Sequence, residues 1–225
     1  MKIARSGKEL LEICAAEQIS LSEYAIRQEM ELKNVSREDL FAQMKITLDA
    51  MKESATAGRE KKVYSLSGLI GGDAYRLQQY CNTGNSLMGN GIVMAMAMAI
   101  SSSEVNGAMA SGAVVELMGG TPKMSLDAAA IIFKNVLGLV CDPVAGLVEI
   151  PCAKRNVSGA INALCTADMV MAGVNSKIPF DHAVAAMYKV GTGLPEELRE
   201  TALGGCAITP TGKALQEKVF GKKEN

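Results

Sequence analysis

A chain of 225 residues with a formal charge of −1 carries no electrostatic footprint for nucleic acid or an anionic membrane. Apolar residues make up 48% and charged residues 21%, the proportions of a folded globular protein and not of a disordered one. The longest apolar run, Gly91 to Ile100, is about half of what a membrane-spanning helix needs, and the start MKIARSGKELLEI returns to charge before a secretory-type run can form. Six cysteines without regular spacing then point to reduced thiols in the cytoplasm, not to a disulfide framework.

With four Phe, five Tyr, no Trp and few alternating β-branched runs, the composition argues against a β-rich core. Fourteen methionines suit close helix packing with adaptable gap filling, so an all-α fold is predicted. In chain order, Lys8 to Gln18 places Leu10, Leu11, Cys14 and Ala15 on one helical face. Ser22 is a predicted cap for a second helix towards Lys33. Ser36 opens a third, with the stripe Leu40, Met44, Leu48 and Met51, ending at Ala57-Gly58. Arg59 to Lys62 reads as a solvated connection, and a short helix follows from Asp73 to Cys81.

Ser86 to Met118 is apolar on most faces and reads as one or two central helices. Ser125 is a predicted cap for a helix running through Ile131, Ile132, Val136 and Leu137. Further helices are predicted over Ala153–Ala172, Asp181–Lys189, Pro195–Ala202 and Thr211–Phe220, before a charged tail. The expected architecture is one compact helical domain over residues 1–225. Residues 1–59 form an N-terminal helical annex packed on a core of residues 60–225.

Two stretches carry chemistry. The first is LVCDPVAGLVEIPCAKRN, Leu139 to Asn156, which sets Cys141 and Cys152 eleven positions apart, each near a proline, and ends in Lys154, Arg155 and Asn156. Such a turn can aim two thiolates at one point, and the cations favour an anionic group there. The spacing is not the short-pair pattern of common zinc sites, and on spacing alone two buried, reduced cysteines packed as small core hydrophobes are the favoured reading. The second stretch is Ser67, Gly68, Gly71, Gly72 and Asp73, a glycine-rich turn entering a helix. Backbone amides and the helix dipole favour a carboxylate at such a place; the plainer alternative makes Asp73 an N-cap. Asn106, on a central helix, bonds either a ligand or a neighbouring helix. Arg155 and Asn156 bind a ligand or brace the cysteine loop, and His182 reads as an exposed or capping residue.

The cysteine segment closely resembles that of the alpha subunit of iron–sulfur-dependent bacterial L-serine dehydratases. The resemblance extends to Gly7–Asp49, to SGLIGGDA at Ser67–Ala74, to Glu104-Val105-Asn106, Gly119-Gly120-Thr121-Pro122, Arg199-Glu200-Thr201 and Thr209-Pro210-Thr211-Gly212, all in the family's order. It implies an all-α fold, a separate beta subunit as partner, and β-elimination of L-serine to pyruvate and ammonia. The implied cofactor is a [4Fe–4S] cluster on three cysteines, whose open iron acts as a Lewis acid on the substrate hydroxyl. Cys141 and Cys152 match two of those ligands. Ser67, Gly71, Gly72, Asp73, Asn106, Arg155 and Asn156 are the candidate substrate-binding residues.

In the family a long block, holding a Pro-Thr-Ala-Gly-Ser-like loop, helices and a Gly-Cys-Gln turn, separates Glu-Val-Asn from Gly-Gly-Thr-Pro. Here Asn106 is followed by GAMASGAVVELMGG. The resemblance therefore implies an internal deletion that removes the third ligand, with Cys165 or Cys206 as weak substitutes.

Overall fold

The computed structural model describes residues 3–82 and 104–221, without the side chains of residues 81, 82 and 104–106. The described chain is all-α, as predicted. Its helices are α1 (Gly7–Glu17), α2 (Leu21–Lys33), α3 (Arg37–Glu60), α4 (Asp73–Asn82), α5 (Glu104–Leu117), α6 (Pro122–Asn135), α7 (Cys152–Met171), α8 (Phe180–Gly193) and α9 (Pro210–Phe220). Among the described residues there is no β-sheet, only the isolated backbone bridges Tyr64 to Gly71 and Cys141 to Arg199. None of the described helices is long and apolar enough to cross a membrane. Of the predicted central stretch from Ser86, the described part is α5; the remainder lies outside the described residues.

Local chemistry sets the helix starts. Ser6 accepts from the Glu9 N–H at 3.1 Å and caps α1, and Ser36 accepts from Asp39 at 3.1 Å to cap α3. Two predicted caps are corrected. Ser20, not Ser22, caps α2 by accepting from Glu23, because the Ser22 hydroxyl is turned to Glu116. Thr121, not Ser125, caps α6, with Pro122 at the first helical position; Ser125 is buried one turn inside. The predicted helix over Pro195–Ala202 shrinks to a 3-10 turn, Glu196–Leu198. Glu200 and Ala202 hold φ of 65° and 57°, and the Leu198 carbonyl and Glu200 N–H are bonded to Cys141 instead of to a helix.

Packing resolves two compact units. Unit 1 comprises the described residues of Met1–Glu53, Val105–Asn135 and Asn162–Ala185. Its core holds Val115, Ala128, Ile131, Ala167 and Val170, with a second cluster of Ala108, Ala129 and Ile132 against Phe133 and Phe180. Those two rings meet at 5.9 Å with a 52° tilt, a favourable aromatic geometry. A third cluster, Ile13, Cys14 and Tyr24, ties α1 to α2, and burial pushes the Cys14 thiol up, reinforced by Glu116 and Glu17. Asp181 accepts the backbone N–H groups of Gly7 at 2.6 Å and Lys8 at 3.1 Å, so α8 caps α1.

Unit 2 comprises the described residues of Ser54–Glu104, Val136–Ile161 and Ala186–Asn225. Here α9 packs on the turns Val144–Gly146 and Gly205–Ile208. Thr209 caps α9 by accepting from Gly212 at 3.0 Å. Both chemistry-bearing stretches lie in this unit.

Candidate functional site

The glycine-rich turn is built on serine hydroxyls. The Ser65 N–H donates to Ile70 O at 2.9 Å, while the Ser65 and Ser67 oxygens accept from Ile70 and Leu69. Both hydroxyls then donate to one carboxylate, Glu149, which also accepts from the Ser67 N–H. Glu149 lies between the two cysteines of the other stretch, so it joins the turn to the cysteine segment. Gly71 is obligatory: a Cβ there would fall 2.8 Å from the Tyr64 Cα, closer than real Cβ atoms come.

Asp73 opens α4 and bonds Lys154 and Arg76. The Lys154 hydrogen bond, with help from Arg76, holds the Asp73 carboxyl below its ordinary value against the opposing effect of partial burial. These groups line a cavity of about 430 Å³, whose walls include Ser65, Gly71, Gly72, Asp73, Glu149 and Lys154. Ser67 is not in its lining; its hydroxyl holds Glu149 in place. Glu149, Lys154 and Ser65 are absent from the ligand-binding residues that sequence reasoning selects. The signal available was a glutamate and a lysine flanking Cys152 in a segment already singled out.

The second half of the site is a clamp around Asp142. Its side chain is 2% exposed and accepts from Arg155 Nη1 at 2.8 Å and from the Cys206 N–H at 2.6 Å. Arg155 also donates to Val140 O at 2.8 Å, which braces the loop from both sides of Cys141. Burial pushes the Asp142 carboxyl up, but the hydrogen bonds from Cys206 and the charge and hydrogen bond of Arg155 outweigh it, and the net shift is downward. The same contacts raise the Cys206 thiol, first through its bond to Asp142 and then through burial. Cys152, half-buried at the start of α7, is raised by burial, with Arg155 opposing.

The predicted site residues are therefore divided. Ser67, Gly71, Gly72 and Asp73 gather with Glu149 and Lys154; Cys141, Cys152, Arg155 and Cys206 gather about Asp142. Asn156 is half-buried on α7, and the Asn106 side chain lies outside the described residues. Cys165 is exposed on α7, in unit 1. His182 is exposed at the start of α8.

The [4Fe–4S] cluster that the resemblance implies requires three convergent thiolates. Among the described residues no three His, Cys, Asp or Glu side chains converge to hold a metal ion, and no disulfide joins the described cysteines. Cys206, the third thiol near the pair, is engaged with Asp142. Among the described residues the donor set does not fit an intact cluster.

The family model described as serine dehydratase alpha chain matches residues 16–109 and 106–207, two segments that meet inside α5. The chain is 39% identical to the probable L-serine dehydratase alpha chain of Bacillus subtilis, over 96% of this chain and 95% of the relative. It is 32% identical to the L-serine dehydratase alpha chain of Peptoniphilus asaccharolyticus, over 94% and 96% of the two chains. A probable L-serine dehydratase alpha chain of Latilactobacillus sakei is 57% identical over 51% of this chain and 55% of its own. The Bacillus alignment runs over 287 positions against 225 residues here, so at least 62 of its positions have no residue in this chain.

Proposed function

Since the chain belongs to the serine dehydratase alpha chain family, we propose that it is an L-serine-binding alpha subunit, partnered by a beta chain, that has lost the elimination chemistry. What supports the reading is that the resemblance implies three cluster cysteines and matches only Cys141 and Cys152, while among the described residues no three His, Cys, Asp or Glu side chains group to hold a metal ion. β-Elimination of L-serine needs its hydroxyl activated as a leaving group, and the resemblance assigns that task to the cluster.

The substrate-binding half supports the retained function. A zwitterionic amino acid needs an anionic partner for its ammonium and cationic or N–H donors for its carboxylate. Glu149 and Asp73 offer the first; Lys154 and the N-terminal amides of α4 offer the second, within a cavity of about 430 Å³. A second reading rests on a specific contact: Cys206 lies on the carboxylate that follows Cys141 and takes the place of the missing ligand.

The test is iron and acid-labile sulfide per chain after anaerobic reconstitution with the beta chain, beside L-serine calorimetry and a pyruvate assay. Serine binding with little iron and no pyruvate supports the proposal. Near-stoichiometric cluster with serine-dependent pyruvate overturns it. Loss of both in Cys206→Ser would then establish the second reading.

A further inference from the structure

Two apolar features of unit 1 are left uncovered among the described residues. The first is a ridge on α3. From Phe41 to Ser54 every residue is exposed, and Phe41, Met44, Leu48 and Met51 repeat at the spacing of one helical face, about 15 Å long. They are 43–52% exposed, although an apolar stripe of this length is a face built to be buried. The second is a groove of about 690 Å³ among α2, α5, α6 and α8, with Leu21, Met109, Ala113, Leu117, Ala129 and Phe133 in its walls. Met109 is 62% and Leu117 87% exposed at its mouth. In the groove lining the Ser125 hydroxyl is buried and has no hydrogen-bond partner, an uncommon state in a finished interface.

We propose that the groove of one copy of this chain receives the α3 ridge of a second copy. The chemistry matches in two respects. Both surfaces are apolar, and the alanines and Gly112 of the groove let a helix approach closely. The charge at the groove edge is Glu116, while Lys45 and Lys52 flank the ridge on one side. Lys45 bonds only the exposed Asp49 of its own helix, a screened surface pair that re-forms at little cost.

A second copy used in the opposite sense, ridge to ridge, would set these lysines against each other in an antiparallel pair. Because ridge and groove are different surfaces, the contact is heterologous, and a joined pair still presents one free ridge and one free groove. The chain therefore assembles past the dimer, into a ring or an open chain, as concentration rises. The inference is independent of serine binding and of any cluster.

Sedimentation velocity on the full chain tests it, with Leu48→Asp as a ridge variant and Leu117→Asp as a groove variant. Both positions are exposed, so both variants fold, as circular dichroism would check. The wild-type mass is expected to rise past that of a dimer, and each variant alone to stay monomeric. An equimolar mixture of the two variants forms one intact interface and stops at a heterodimer. A wild-type chain that stays monomeric at high concentration, variants that still assemble, or a mixture that stays monomeric would overturn the proposal.

Discussion

The Cys206 N–H donates to Asp142 Oδ2 at 2.6 Å, across 64 positions of sequence. This one bond closes the glycine-rich turn before α9 onto the cysteine segment, and Arg155 holds the carboxylate's other oxygen. A buried carboxylate with these donors is stable only while all of them are present.

Replacing Asp142 with Ala should therefore cost roughly 3–5 kcal/mol, since it strands the Arg155 guanidinium and the Cys206 N–H. Urea denaturation measures it. Asp142→Asn keeps the shape and removes the charge, so Cys206 should alkylate faster at pH 8 than in the wild type, because Asp142 is the leading cause of its raised thiol value. Unchanged alkylation would mean that the thiol does not sense Asp142.

Gly205 stands at φ +56° with any added Cβ directed into the Asp142 carboxylate. Gly205→Ala should destabilise by about 2–4 kcal/mol, through strain and displacement of the clamp together. Gly173 has φ +94° in open space and isolates the backbone contribution. Its alanine variant should lose only about 1 kcal/mol. Equal losses in thermal unfolding would show that the Asp142 contact contributes nothing.

Glu149→Gln removes the charge that accepts from Ser65 and Ser67. Oε2 accepts from both hydroxyls while Oε1 faces the Ser67 N–H, so in glutamine one of these two places becomes an NH2 group that meets a donor. The expected outcome is faster hydrogen exchange at Leu69 and Ile70 and an L-serine affinity about tenfold weaker, a loss of roughly 1.4 kcal/mol. Calorimetry with an unchanged affinity would remove Glu149 from the binding site.

Acid stability follows from three carboxyls. Hydrogen bonds from Arg37 and then Arg27 lower Glu23 to about 2, Lys154 and Arg76 lower Asp73, and Cys206 with Arg155 lower Asp142 against its burial. A carboxyl lowered in the folded state contributes stability that is present above its unfolded value of about 4 and lost as pH falls through the folded one. Stability should be level from pH 7 to 5 and decline below about 4. Cys206 has the opposite sign: its raised thiol contributes below its unfolded value of about 8.5, and that contribution fades as pH rises through the folded one. Urea midpoints across pH, with Asp142→Asn alongside, separate the two limbs. An acid limb unchanged in Asp142→Asn would rule out its share.

How much was legible in the sequence depends on the range of the interaction concerned. The helices over Gly7–Glu17, Asp73–Asn82 and Pro210–Phe220 are readable because cap, periodicity and terminator lie within a few residues of each other. The cap at Ser22 failed for a non-local reason: Glu116, 94 positions away, takes the hydroxyl. The segment Pro195–Ala202 failed in the same way, since its backbone is bonded to Cys141. Local pattern sees neither competitor.

The sequence by itself determined the helical class and the family, because these reside in composition and motif order. Only the tertiary structure decided that Glu149 ties the serine turn to the cysteine segment, that Asp142 engages Cys206, and that the stripe on α3 is left uncovered. A hydrogen bond or a buried face requires two surfaces distant in the chain to meet. Periodicity states which face is apolar, but not what stands opposite it.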